Sequence, residues 1–96
     1  MPAVARLGDS NVPHCSGHNI ASASSNVFVN GRGAARRGDR NTVHVKPAPK
    51  KCRPHSATIS RGSGSVFVNG RPIARVGDSY GGCTSIARGS SNVFAG

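Results

Sequence analysis

A chain of 96 residues makes one domain, and at that size its apolar core alone is a marginal source of stability. The hydrophobic fraction is 35%, aromatics are 4%, Trp is absent and Leu occurs only at Leu7, which excludes a helical bundle with a broad Leu-rich stripe. A net charge of +10 invites a nucleic-acid reading, yet the basic residues are spread along the chain except for Lys46, Lys50, Lys51 and Arg53. No aromatic stacking motif accompanies them, so nucleic-acid binding is not the expected main role.

The apolar residues come in short bursts of Val, Ala, Phe and Ile between Gly, Ser and Asn, the composition of strands and turns, and an all-β domain spanning residues 1–96 is expected. No stretch reaches the length of a transmembrane helix. The opening MPAVARLGD lacks the basic flank and apolar run of a secretory signal, so the chain is expected to be made in the cytoplasm without a signal peptide. Three cysteines in such a chain argue against a disulfide framework and leave metal ligation or free thiols, an option that four histidines strengthen.

In chain order, the first recognisable element is ARLGD at 5–9. It recurs as ARRGD at 35–39 and ARVGD at 74–78. Before the second and third copies stands VFVNG, at 27–31 and 66–70, so that VFVNGRGAARRGD at 27–39 aligns with VFVNGRPIARVGD at 66–78 with ten of thirteen positions identical. Asn-Gly after a run of β-formers predicts a type I′ hairpin turn. Val27 to Val29 and Val66 to Val68 are then first strands, and the stretches towards Arg36 and Arg75 are return strands.

The first ARLGD has no VFVNG before it, and the closing NVFAG at 92–96 has no ARxGD behind it. These ends are two halves of one repeat. Pairing the N- and C-terminal segments would close three equivalent hairpin-like units around an axis and remove exposed sheet edges. All three acidic residues, Asp9, Asp39 and Asp78, follow Arg6, Arg36 and Arg75 by three positions. Three symmetry-equivalent Asp residues are better suited to capping a turn or pairing with guanidinium than to acid–base catalysis.

After each Gly-Asp a loop leaves the repeat, roughly residues 10–23, 40–62 and 79–89, and the chain returns at Ser25, Ser65 and Ser91. These loops hold every His and Cys. Five residues after the three Asp positions stand His14, His44 and Cys83; three ligands at one offset in three pseudo-equivalent loops should converge on the axis, and His55 in the longest loop supplies a fourth. A His3Cys shell suits structural zinc, with iron also possible, and leaves no open position for catalysis. A rival set has simpler spacing: Cys15-x-x-His18 with Cys52-x-x-His55, a Cys2His2 pattern resembling a small zinc ribbon. It leaves Cys83 and the common offset unexplained. A hydrolase reading fails for want of a nucleophile–base pair; the serines at Ser22, Ser24 and Ser25 read as the approach to a strand.

With these features together, the chain resembles the PAAR-repeat proteins, the pointed tips of type VI secretion spikes and contractile phage tails, over nearly its whole length. The namesake tetrad reads Gly33-Ala34-Ala35-Arg36 and Pro72-Ile73-Ala74-Arg75 here, with Pro2-Ala3-Val4-Ala5-Arg6 near the start. The resemblance implies a short conical pseudo-threefold arrangement of β-hairpins with zinc near the apex on three His and one Cys, by motif His14, His44, His55 and Cys83. It also implies a non-enzymatic tip, one per trimer, on a β-helical spike protein (VgrG-like or a phage central spike), without homo-oligomerisation. Such a tip makes transient contact with a target outer membrane, from a phage tail baseplate or through the type VI apparatus. Phe28, Phe67 and Phe94 are then core or part of the base, and their alternation favours core, with Val29 and Val68 on the opposite face. The alternative from another class is a small zinc-dependent nucleic-acid-binding module.

Overall fold

The computed structural model describes residues 1–12, 19–41, 57–80 and 84–96, and among them there is no helix. Two antiparallel hairpins form where Asn-Gly predicts them. Strand β1 (Phe28–Val29) pairs with β2 (Arg32–Gly33) in the register Phe28 to Gly33 and Val29 to Arg32, and β3 (Phe67–Val68) pairs with β4 (Arg71–Pro72), Phe67 to Pro72 and Val68 to Arg71. At both turns the two central residues take positive φ, 54° at Asn30 and Asn69 and 78° at Gly31 and Gly70, the type I′ geometry that only Asn and Gly adopt cheaply.

The third hairpin is assembled from the two ends of the described chain. Ala3 bridges Phe94 as Gly33 bridges Phe28, the Val4 amide donates to the Val93 carbonyl at 2.9 Å, and the Ala95 amide donates to Pro2 at 3.1 Å. Gly96 and Met1 meet where Asn-Gly stands in the other two units.

The regular strands are shorter than the sequence predicts, because each return segment leaves its own hairpin after two residues and pairs with a neighbouring unit. Arg6 bridges Ala34, Arg36 bridges Ile73 and Arg75 bridges Val4, which closes the cycle. At its centre the Ala35 amide donates to the Ala5 carbonyl (3.1 Å), Ala74 to Ala35 (2.9 Å) and Ala5 to Ala74 (2.9 Å), a closed ring of three backbone hydrogen bonds. All three alanines are completely buried. Three segments of the chain meet here, and a methyl group is the side chain that fits.

Two apolar layers stack along this pseudo-threefold axis. Val4, Ala34 and Ile73 with Val29, Val68 and Ala95 fill the layer under the hairpins. Ala5, Ala35 and Ala74 with Ile20, Ile59, Ile86 and Tyr80 fill the layer under the loops.

Two expectations are corrected. Phe28, Phe67 and Phe94 are not core: they are 59%, 56% and 49% exposed, while Val29, Val68 and Ala95 face inward. Strand alternation sends neighbours to opposite faces, and the narrow interior takes the smaller side chain. The equivalent serines at the approach to each unit are Ser24, Ser63 and Ser90 in place of Ser25, Ser65 and Ser91. These three are buried, and their hydroxyls accept the amides of Val27, Val66 and Val93 at 2.9 Å.

Candidate functional site

Each Arg-x-Gly-Asp is a tight turn. The Asp amide donates to the Arg carbonyl three residues back at 3.0 Å in all three copies, and the glycine at the third position has φ of 88° (Gly8), 95° (Gly38) or 93° (Gly77), the type II arrangement. The buried carboxylate then turns back on its arginine. Asp39 accepts the Arg36 amide at 2.7 Å and Nε at 2.9 Å on Oδ2, and Nη2 at 3.0 Å on Oδ1; Asp9 with Arg6 and Asp78 with Arg75 repeat the pattern. A second arginine from the hairpin turn joins in two units, Arg32 Nη2 to Asp9 Oδ1 at 2.8 Å and Arg71 Nη2 to Asp39 Oδ1 at 3.0 Å. In the third unit Pro2 occupies that position.

Hydrogen bonding to the carboxylates raises the pKa of Arg6, Arg36 and Arg75 above the usual guanidinium range, against an opposing desolvation. Every lone-pair direction of Asp9 and Asp39 is engaged. The turns lock backbone; a carboxylate so occupied has no capacity left for proton transfer.

Beyond each turn the chain enters a loop. The Ile20, Ile59 and Ile86 amides donate to the Asp9, Asp39 and Asp78 carbonyls at 2.8 to 3.0 Å and tie the returning limb to the outgoing one. Between units, Asn11 bridges Ile86, Ile20 bridges Asn41 and Ile59 bridges Tyr80, so the three loop stems adjoin one another around the axis. Asn11, Asn41 and Tyr80, two residues after their respective Asp, are buried. Tyr80 Oη donates to Asn11 Oδ1 at 3.1 Å, and Asn41 Oδ1 accepts the Ala57 amide at 2.8 Å. The sequence reading missed this polar layer, although the same counting from Asp that selected His14, His44 and Cys83 marks it.

The predicted ligands His14, His44, His55 and Cys83, and the rival residues Cys15, His18 and Cys52, all lie outside the described residues. Among the described residues no group of three or more metal-binding side chains occurs. The stems that flank those segments are the residues whose positions bear on a metal.

Around the hairpin end, the turn asparagines clasp neighbouring units. Asn69 Oδ1 accepts Ser24 Oγ at 2.7 Å and Arg36 Nη1 at 2.9 Å, and Asn30 Oδ1 accepts Ser90 Oγ at 2.6 Å and Arg6 Nη1 at 3.2 Å. In the third unit the Gly96 carbonyl accepts Ser63 Oγ in their place. Outside these clasps Phe28, Phe67 and Phe94, each beside a partly exposed Val27, Val66 or Val93, give three equivalent apolar edges.

Three hairpin-like units in cyclic register, with one apolar edge apiece and three loops on adjoining stems, define a class of single-chain, pseudo-threefold all-β folds. A family model described as PAAR motif matches residues 2–43 and 50–96, and the chain belongs to that family. Membership gives it a spike-tip type of role in contractile injection systems, in association with a spike protein. A comparison with curated proteins found no match.

Proposed function

We propose that this chain caps a trimeric β-helical spike, one tip per trimer, and acts mechanically by concentrating the force of contraction at a rigid apex that breaches an outer membrane. The observation that carries this reading is the set of three equivalent exposed edges, Phe28, Phe67 and Phe94, on one covalent chain. A true trimer ends in three identical surfaces, and a pseudo-threefold monomer can meet all three at once. Covering the remaining exposed half of each phenylalanine supplies about 1–1.5 kcal/mol, roughly half the value of full burial, before the costs of association. The test is binding to a trimeric spike by the Phe28→Ser/Phe67→Ser/Phe94→Ser variant. Loss of binding with an unchanged melting temperature supports the edges as the docking surface, and undiminished binding contradicts it.

We further assign a structural zinc to the apex, held by His14, His44, His55 and Cys83. Two observations support the fit: the three stems carrying the loops adjoin around the axis, and three nitrogens with one thiolate match zinc's preference for four soft-to-borderline donors. Bound there, the ion would cross-link loops from all three units and contribute directly to folding. Elemental analysis of purified variants checks it. Cys83→Ser and His14→Ala are expected to lose the metal while Cys52→Ser keeps it; the reverse result selects the Cys15, His18, Cys52 and His55 ribbon. Chelation of the wild type is expected to lower its melting temperature.

A further inference from the structure

The pseudo-threefold pattern also breaks beside the first Arg-x-Gly-Asp turn. A cleft of about 710 Å³ is lined by Arg6, Asp9, Ser10, Arg32, Arg88 and Gly89. Three arginines and one carboxylate line it, an excess of two positive charges. Asp9 is fully occupied, since Oδ2 accepts the Arg6 amide at 2.8 Å and Nε at 2.9 Å, and Oδ1 accepts Arg6 Nη2 at 2.9 Å and Arg32 Nη2 at 2.8 Å.

The carboxylate therefore acts as a buttress. It holds Arg6, while Arg32 is fixed by Asp9 and by donation of its Nε to the Leu7 carbonyl at 3.0 Å. Arg88, exposed, has no side-chain partner among the described residues, and its backbone is pinned by donation of its amide to the Ser10 carbonyl at 3.1 Å. Gly89 Cα packs so close to Val4 that an added Cβ would stand 2.7 Å from the Val4 carbonyl, which fixes the chain just after Arg88.

The other two units do not repeat this set. Where the first has Arg88, the second has Ser22 and the third has Arg61; where the first has Arg32, the second has Arg71 and the third has Pro2. One unit in three thus combines the turn arginine, the hairpin arginine and a further arginine without a side-chain partner among the described residues.

We propose that this cleft is a phosphate-binding site, taking a phosphate group either free in solution or displayed on an anionic lipid surface. Two excess positive charges match a phosphate dianion, and the planar five-donor guanidinium suits tetrahedral oxyanions with two oxygens on one fork. Arg32, with its side chain held by Asp9 and the Leu7 carbonyl, is a donor set before binding, and Arg88 projects from a pinned backbone, which lowers the ordering cost.

The experiment is titration of the full chain with inorganic phosphate and with phosphatidylcholine vesicles containing phosphatidic acid, against vesicles of phosphatidylcholine alone. Wild type is expected to bind phosphate saturably. Arg88→Ala, which removes an exposed side chain without a described partner, is expected to weaken binding about tenfold or more, the scale of one charge-assisted contact. Arg61→Ala, the same change in the unit that carries Pro2, is expected to leave binding within about twofold. Vesicle binding that also depends on Arg88 assigns the source as lipid, and binding of phosphate alone assigns a soluble ligand; both support the site. Equal losses in the two variants, no saturable binding by wild type, or a preference for duplex DNA insensitive to Arg88→Ala would overturn it.

Discussion

Arg36 and Arg71 meet the same carboxylate from different surroundings. Arg36 makes two side-chain bonds and one amide bond to Asp39 with its side chain 15% exposed, whereas Arg71 makes one bond and is 42% exposed. Removing the first leaves a buried carboxylate short of donors and is expected to cost about 2–4 kcal/mol; removing the second loses a solvent-screened pair and is expected to cost less than about 1 kcal/mol. Denaturant midpoints of Arg36→Ala and Arg71→Ala check the order. The pH dependence has a definite sign. Arg36 is a base whose pKa rises on folding, so its contribution is complete below the unfolded value and is lost only as pH climbs through the folded one, beyond ordinary alkaline conditions. Arg36→Lys is expected to bring a loss of stability into reach as pH passes about 10 or above, which wild type should not show from this position.

At the scale of the element, each unit packs its return segment against the approach to a strand, and each such contact contains a glycine. Ala23 faces Gly33, Gly62 faces Pro72 and Gly89 faces Ala3. A Cβ on Gly33 would overlap the Ser24 carbonyl oxygen, and one on Gly62 would lie 2.7 Å from Pro72 Cβ. Gly33→Ala is expected to cost about 1–3 kcal/mol by overpacking. The exchange Ala23→Gly/Gly33→Ala, which copies the arrangement of the other two units, is expected to recover most of that in thermal unfolding; no recovery would show that the units pack independently of this pairing. The hairpins were legible in the sequence because Asn-Gly carries its own backbone preference. The direction of Phe28 was not: in the run Val27-Phe28-Val29 no polar residue marks an outer face, and the inward choice is set by the width left at an axis where three segments of the chain meet. Ser24, Ser63 and Ser90 were misplaced by neighbouring serines for a similar reason, since only burial distinguishes them.

For the whole molecule, closure was legible because ARLGD and NVFAG are complementary halves of one repeat, and Ala3 bridges Phe94 accordingly. The partner exchange after each hairpin was not legible, because it depends on the ring of Ala5, Ala35 and Ala74 hydrogen bonds and not on any local preference. The common offset from Asp named His14, His44 and Cys83 as ligands; these residues lie outside the described ones, and the metal assays above test them. The asymmetry at Arg88 was not legible, because its equivalence to Ser22 and Arg61 is set by the buried serines Ser24, Ser63 and Ser90 two residues further on. The proposed docking of one chain to a trimer through three equivalent edges fixes a stoichiometry. The most direct measurement is the mass of its complex with a trimeric spike protein in solution, at saturating tip. One chain per trimer is expected, with the same ratio at every excess of tip, while three chains per trimer would contradict the three-edged docking.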